Sequence, residues 1–167
     1  AEPYLAGNVG SGTPQELCDW LEYCNSPLDT TLTRERAANG SPAPFGVRLW
    51  GVGNENWGCG GNMSPEEYAA AFARYRTYVH NYPGTQVEAI ACGPNGNNWD
   101  WTRRFFETIK HHHTMSRLPQ VQGFAAHYYC GTAGTATEYT ETQWLELLSR
   151  AYAIEGIVTG HRRIMDE

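Results

Sequence analysis

Lysine is almost absent from this sequence of 167 residues, in which Lys110 is the single lysine beside eleven arginines. Acidic side chains outnumber basic ones by 18 to 12, which gives a formal net charge of −6 at pH 7. No more than two basic residues are adjacent, at 103–104 and 162–163. Because nucleic-acid binding needs a positive patch that neutralises phosphates, we expect no nucleic-acid partner.

Long apolar runs are also missing, since no stretch approaches the ~20 residues that span a membrane. We therefore expect no membrane partner, while hydrophobic residues at 41% suffice for a folded core. Aromatic residues reach 13%, including six tryptophans and ten tyrosines. Trp and Tyr side chains stack on sugar rings but also fill large cores, so their abundance only suggests a ligand class.

Metal-ligand and disulfide patterns are absent as well. The five cysteines are odd in number, and their spacings match neither paired zinc ligands nor a disulfide framework, which predicts free buried thiols. His111, His112 and His113 are consecutive and cannot all face one site on a helix. The glycine-rich segment 7–12 has no lysine after its last glycine and does not match a phosphate-binding loop. The sequence therefore predicts no metal ion and no cofactor.

Short apolar strands alternate with amphipathic helices along the chain. Strands are predicted at residues 3–6, 47–52, 87–92 and 121–127. Thr13 and Ser64 each precede a proline, with a glutamate three positions further on, which predicts a capping box at the start of two helices. Apolar residues at helical spacing between positions 144 and 158 predict a last helix with these residues on one face, which Gly156 and Gly160 can bend.

This alternation predicts an α/β fold, because parallel strands need helical crossovers. Two architectures fit the pattern, an open doubly wound sheet and part of a (β/α)8 barrel. A complete barrel has about 250 residues. In the barrel case we expect the chain to be a fragment that supplies four of the eight units.

Polar residues follow the second and fourth predicted strands, where ligands bind in parallel α/β folds. Asn54 and Glu55 end the second strand, and Trp57 follows in a glycine-rich turn. A carboxyl group beside apolar rings can act as a general acid. Asn54 can donate to a substrate hydroxyl and Trp57 can form a stacking wall. The alternative is that Glu55 only pairs with an arginine.

His127 and Tyr129 follow the fourth strand and point to the same side of an extended segment. This pair suits a sugar or a carboxylate ligand. A buried structural histidine is the alternative for His127.

A longer pattern surrounds Glu55. Residues 50–63, with the sequence WGVGNENWGCGGNM, resemble the acid/base segment of the α-L-arabinofuranosidases of glycoside hydrolase family fifty-one. Segments 6–16, 20–25, 64–68 and 123–129 are similar to other parts of the same enzymes, in the same order. Asn-Glu alone is shared by a large clan of barrel glycosidases, but the glycine-rich context and the His-x-Tyr segment make the resemblance specific.

The resemblance implies a (β/α)8 barrel, of which this chain holds strands three to six, and a retaining double-displacement mechanism. The general acid/base falls on Glu55, and Asn54 contacts the sugar at the cleavage point. The active-site histidine and tyrosine of the family fall on His127 and Tyr129. The nucleophile, a glutamate at the end of the seventh strand, is not in this chain.

We therefore expect residues 1–167 to be a fragment of a single catalytic domain, without the flanking barrel units and the C-terminal β-sandwich of the family. Retention needs a second carboxyl group ~5–5.5 Å from the acid/base. Since no residue here credibly supplies it, we expect the chain alone to be inactive.

The activity implied for the full-length enzyme is hydrolysis of terminal non-reducing α-L-arabinofuranosyl residues from arabinan or arabinoxylan. The partner is thus an arabinose-containing oligo- or polysaccharide, and a homo-oligomeric full-length enzyme is compatible with the resemblance. Alternatives are another barrel glycosidase of the clan, such as an endoglucanase or xylanase, a non-catalytic carbohydrate-binding domain, and an open-sheet nucleotide-binding protein.

Overall fold

The computed structural model describes residues 1–111, 121–131 and 134–167. His112 and His113 lie outside the described residues. The elements follow one another as β1 (Tyr4–Gly7), α1 (Pro14–Asn25), α2 (Thr31–Ala38), β2 (Leu49–Val52), α3 (Pro65–Arg76), β3 (Glu88–Asn95), α4 (Trp99–His111), β4 (Gly123–His127), α5 (Glu141–Ala151) and α6 (Ala153–Asp166).

The four strands form one parallel sheet in the order β1-β2-β3-β4. Trp50 in the centre of β2 pairs with Leu5 on one side and with Ala89 on the other. A doubly wound sheet reverses its strand order at a switch point, and this sheet does not. The α/β fold is confirmed, and the sequential order is that of consecutive barrel units.

Helix starts follow the predicted signals. Thr13 accepts a hydrogen bond from the backbone N–H of Glu16, whose carboxylate accepts from the backbone N–H of Thr13. Ser64 and Glu67 form the same reciprocal pair at α3. Each cap satisfies backbone donors that the helix leaves free and contributes about 1 kcal/mol.

The core lies between the sheet and the layer of helices, in which α1 packs on α3, α3 on α4 and α4 on α6. Its centre is aromatic. The ring of Tyr68 stacks on Phe105 with centroids 5.4 Å apart and lies 5.7 Å from Trp101. Trp50 and Val52 of β2 are fully buried against this layer. The strand that leads to Glu55 is therefore packed against the helix layer through these two buried side chains.

The predicted last helix is helical along its length but consists of two helices, α5 and α6. The helix is divided at Tyr152, whose backbone N–H is shared between the carbonyl groups of Arg150 and Leu148. In α5 no residue is buried, and Trp144 is 46% exposed. The periodicity is correct for a helix, but Trp144, Leu145 and Leu148 on α5 are exposed, so the apolar face of this helix remains accessible.

Two further sequence features are resolved by the fold. All five cysteines are free thiols, and the expected burial holds for Cys24 and Cys92 but not for Cys18, Cys59 and Cys130. Among the described helices, none combines the length and the apolar character that a membrane span requires.

Candidate active site

The loop that follows β2 turns sharply at Glu55. Its φ of 47° lies in the left-handed region, which costs a non-glycine residue of order 1 kcal/mol. The Glu55 carbonyl accepts hydrogen bonds from the backbone N–H groups of Gly58 and Gly60, at 2.8 and 2.9 Å. A Cβ on Gly60 would lie 1.8 Å from the carbonyl oxygen of Asn54. The turn can close this tightly only with glycine at position 60, and it projects the Glu55 side chain from the carboxyl end of the strand.

A buried tyrosine joins the ends of β2 and β3 beneath this turn. The Tyr68 hydroxyl donates to the carbonyl of Val52 at 2.5 Å and accepts from the backbone N–H of Cys92 at 2.6 Å. Burial raises the pKa of Tyr68 well above the ordinary tyrosine value, so the hydroxyl keeps its proton. This bridge fixes the strand end from which Asn54 and Glu55 project.

Residues after β4 meet the residues after β2. The Tyr129 hydroxyl donates to Oε1 of Glu55 at 3.1 Å. His127 Nε2 lies 3.3 Å from the amide oxygen of Asn54. Since that oxygen can only accept, Nε2 carries the proton in this arrangement. The structure thus brings together the four residues that the sequence pattern singles out at the strand ends.

The Glu55 carboxylate also acts on Tyr129 electrostatically. By accepting the phenolic hydrogen and repelling the phenolate, it raises the pKa of Tyr129. The tyrosine therefore remains a donor at neutral pH. With 73% of its surface exposed, Tyr129 stands at the open side of the cluster, where a ligand can reach it.

Trp57 forms a wall beside this cluster. Its indole N–H donates to the carbonyl of Gly93 at 3.0 Å, which ties the ring to the end of β3. The ring meets His127 edge to face, with centroids 6.0 Å apart and planes at 73°. This anchoring leaves an aromatic surface beside Glu55, as a stacking residue requires.

One contact in the cluster was missed by the sequence analysis. The Cys59 thiol donates to the second carboxylate oxygen of Glu55, Oε2, at 3.2 Å. The same carboxylate raises the pKa of Cys59. The sequence pattern predicts Cys59 only as one of five free thiols. The four-residue spacing from Glu55 was the available signal, but it becomes a contact only because the turn folds back.

A second cysteine supports the turn from below. Burial raises the pKa of Cys92 to about 11, and hydrogen bonds from the backbone N–H groups of Asn56 and Glu55 to its sulfur oppose that rise. Cys92 is therefore a buried neutral thiol beneath the backbone of the turn.

The described residues contain no cluster of three or more His, Cys, Asp or Glu side chains that could hold a metal ion. The two oxygens of Glu55 face two neutral donors, a phenol and a thiol. Such a carboxyl group is suited to exchanging protons.

The comparison with known families identifies the chain. Residues 8–142 match the family model described as Alpha-L-arabinofuranosidase 1 domain. The chain belongs to this α-L-arabinofuranosidase family. The predicted resemblance is confirmed, and the solved relatives extend the match to the three-dimensional structure.

One curated relative and two solved structures match nearly all of the chain. The "Intracellular exo-alpha-L-arabinofuranosidase" of Bacteroides ovatus is 36% identical over 171 residues, which cover 99% of this chain and 32% of the relative. The crystal structure of the GH51 arabinofuranosidase from Xanthomonas axonopodis pv. citri superposes with a TM-score of 0.83 at 36% identity, covering 99% of this chain and 33% of that one. An arabinose complex of the Thermotoga maritima α-L-arabinofuranosidase gives a TM-score of 0.73 at 28% identity, with coverage of 99% and 31%.

The chain thus spans about a third of the length of these relatives. Its four parallel strands and their helices superpose on those proteins over 99% of the chain. The fold is therefore part of a (β/α)8 barrel.

Proposed function

We propose that this chain forms the acid/base part of a retaining α-L-arabinofuranosidase. The complete enzyme would hydrolyse terminal non-reducing α-L-arabinofuranosyl residues of arabinan- or arabinoxylan-type glycans. The observation that carries the proposal is the Glu55 carboxyl group at the end of β2, with Tyr129 on Oε1 and the Asn54–His127 pair beside it. The names of the relatives support the same activity.

Glu55 acts twice in the proposed mechanism. As an acid it protonates the leaving-group oxygen, and as a base it later deprotonates the water that attacks the glycosyl-enzyme intermediate. Its position at the carboxyl end of β2, between two neutral hydrogen-bond donors, supports both steps. No step of this reaction requires a metal ion or a cofactor.

Asn54, His127 and Tyr129 bind the sugar in this proposal. Asn54 presents an amide to a sugar hydroxyl, and the hydrogen bond from His127 orients that amide. Tyr129 has a second lone pair with which to accept from substrate while it donates to Glu55. Trp57 stacks on a sugar face, a role supported by its anchored ring.

The nucleophile of this mechanism is proposed to lie outside the chain. Retention needs a second carboxyl group ~5–5.5 Å from the acid/base. We infer that residues 1–167 are one segment of a single catalytic domain and that another segment supplies this group. The chain alone is then expected to bind or position sugar without turning it over. The relatives' names give no support to an endoglucanase, a xylanase or a purely sugar-binding domain.

The test is made on the complete enzyme, expressed from the open reading frame that contains this segment with its flanking coding sequence. Glu55→Ala is assayed on aryl α-L-arabinofuranosides with good and with poor leaving groups. Poor leaving groups need protonation, so their rate should fall about 10²–10⁴-fold, the usual scale of acid–base catalysis. Good leaving groups should still form the covalent intermediate, which then accumulates.

Azide should rescue the variant and give the α-configured arabinofuranosyl azide, because azide needs no deprotonation and the intermediate is attacked with retention. The matched control is Glu35→Ala, which removes an exposed carboxylate on α2 and should leave every rate unchanged. Equal losses on good and poor leaving groups without azide rescue would show that Glu55 is not the acid/base.

A further inference from the structure

Both oxygens of the Glu55 carboxyl group are occupied by donors from different parts of the chain. Tyr129, which follows β4, donates to Oε1 at 3.1 Å, and Cys59, in the same turn as Glu55, donates to Oε2 at 3.2 Å. The side chain is therefore held at both ends of its carboxyl plane. The strand-end pattern singles out Glu55 and Tyr129 but not Cys59.

The position of the thiol is fixed by the backbone of the turn. The Glu55 carbonyl accepts from Gly58 and Gly60, and the Asn56 amide donates to the carbonyl of Gly60 at 2.8 Å. These bonds fold residues 58–60 back over Glu55. The Cys59 side chain therefore reaches its carboxylate without a long flexible side chain.

The thiol is a donor of the appropriate strength. A neighbouring carboxylate raises the pKa of Cys59, so the thiol stays protonated at neutral pH. A thiol S–H is a weak donor compared with a hydroxyl. It can orient the carboxylate without stabilising the charged form so strongly that Glu55 would fail as an acid in the first half-reaction.

We propose that Cys59 is a positioning residue for Glu55, orienting its carboxyl group through Oε2 and balancing its acid and base roles. This inference rests on the proposed function of Glu55. The other titratable groups packed around the turn are Tyr129 after β4 and Cys92 in β3, whose pKa values are both raised, while His127 faces Asn54. None of these groups is altered in the variants below.

The proposal predicts opposite effects for two substitutions in the complete enzyme. Cys59→Ala removes the donor, so the alkaline limb of the kcat/KM profile should move to higher pH by ~0.3–1 unit, the range of one ordinary hydrogen bond. Cys59→Ser supplies a stronger donor, so this limb should move to lower pH. In Cys59→Ser the rate on poor leaving groups should also fall about 2- to 10-fold, while good leaving groups are little affected.

A merely structural role for Cys59 would lower activity in both variants without moving the pH profile. That result, or a shift in the same direction in both variants, would overturn the proposal. If the wild-type enzyme hydrolyses no arabinofuranoside, the proposed function itself fails, and the kinetic arms say nothing about the contact.

A second measurement tests the contact without catalysis. Cys59 alkylation by iodoacetamide at pH 7.5 is followed by peptide mass spectrometry in the wild type and in Glu55→Gln, with Cys130 as the internal reference. Loss of the neighbouring charge should accelerate alkylation of Cys59 several-fold and leave Cys130 unchanged. Equal rates at Cys59 in both proteins would refute the Cys59–Glu55 interaction, whatever the kinetic variants do.

Discussion

Removing one buried hydroxyl, in Tyr68→Phe, should destabilise the enzyme and loosen the acid/base turn together. Tyr68 is fully buried, and its hydroxyl is the shared partner of the Val52 carbonyl and the Cys92 amide. Phenylalanine keeps the stacking on Phe105 but leaves both backbone groups unpaired inside the core. At ~1–3 kcal/mol for each of the two unsatisfied buried groups, the expected loss is about 2–6 kcal/mol.

The matched control is Tyr75→Phe, which removes the same oxygen from the same helix. The Tyr75 hydroxyl donates to the Gly12 carbonyl at 2.6 Å, in a partly buried site where water can replace it. Its loss should therefore cost only ~0.5–1.5 kcal/mol. Since 1 kcal/mol shifts the melting temperature of a domain of this size by ~2–4 °C, we expect a drop of roughly 4–24 °C for Tyr68→Phe and of roughly 1–6 °C for the control.

Thermal unfolding followed by circular dichroism compares the two variants, and amide hydrogen exchange locates the effect. The Cys92 amide should exchange faster in Tyr68→Phe than in Tyr75→Phe, because only the first variant removes its acceptor. Equal melting temperatures for the two variants, or an unchanged exchange rate at Cys92, would refute the reasoning that this hydroxyl joins β2 and β3.

Two further predictions concern the turn and α6. Gly60→Ala should lower kcat/KM about 10²-fold or more, because its Cβ would lie 1.8 Å from the Asn54 carbonyl, whereas Gly58→Ala, with its nearest atom at 3.8 Å, should be nearly neutral in the same assay. His161 forms a hydrogen bond with Thr102 at 2.8 Å, and burial lowers the pKa of His161. The stabilising contribution of neutral His161 should therefore be complete above about pH 6.5 and be lost as the pH falls through the lowered pKa. Between pH 5 and 7 the melting temperature should depend less on pH in His161→Gln than in the wild type. An equal pH dependence of the two melting temperatures would contradict this assignment.

The sheet was predictable because its causes are local or topological. Capping boxes at Thr13 and Ser64 predict where two helices begin. Parallel strands joined by helices can lie side by side in sequence order. The division of the last helix at Tyr152 was not predictable in this way. Helical periodicity reports that a face is apolar, but it does not report which element covers that face or where the backbone tightens.

The site was predictable as far as the strand-end rule reaches. That rule selects Asn54, Glu55, His127 and Tyr129, because the carboxyl ends of parallel strands share one edge of the sheet. It does not find Cys59. The contact of Cys59 depends on the left-handed backbone of Glu55 and on two backbone N–H groups that donate hydrogen bonds to the Glu55 carbonyl. Such a fold-back is a property of the closed turn rather than of the residue types in it.

The anchoring of Trp57 shows how an irregularity in one strand serves the neighbouring loop. The register between β3 and β4 shifts between Cys92 and Asn95. Cys92 pairs with Ala125 and Asn95 with His127, so β3 advances three positions while β4 advances two. Pro94 lies in this interval and has no N–H with which to continue the ladder. A bulge leaves a backbone group unpaired, and here the Gly93 carbonyl accepts the indole N–H of Trp57. The proline thus explains both the slipped register and the acceptor that holds the Trp57 ring beside His127.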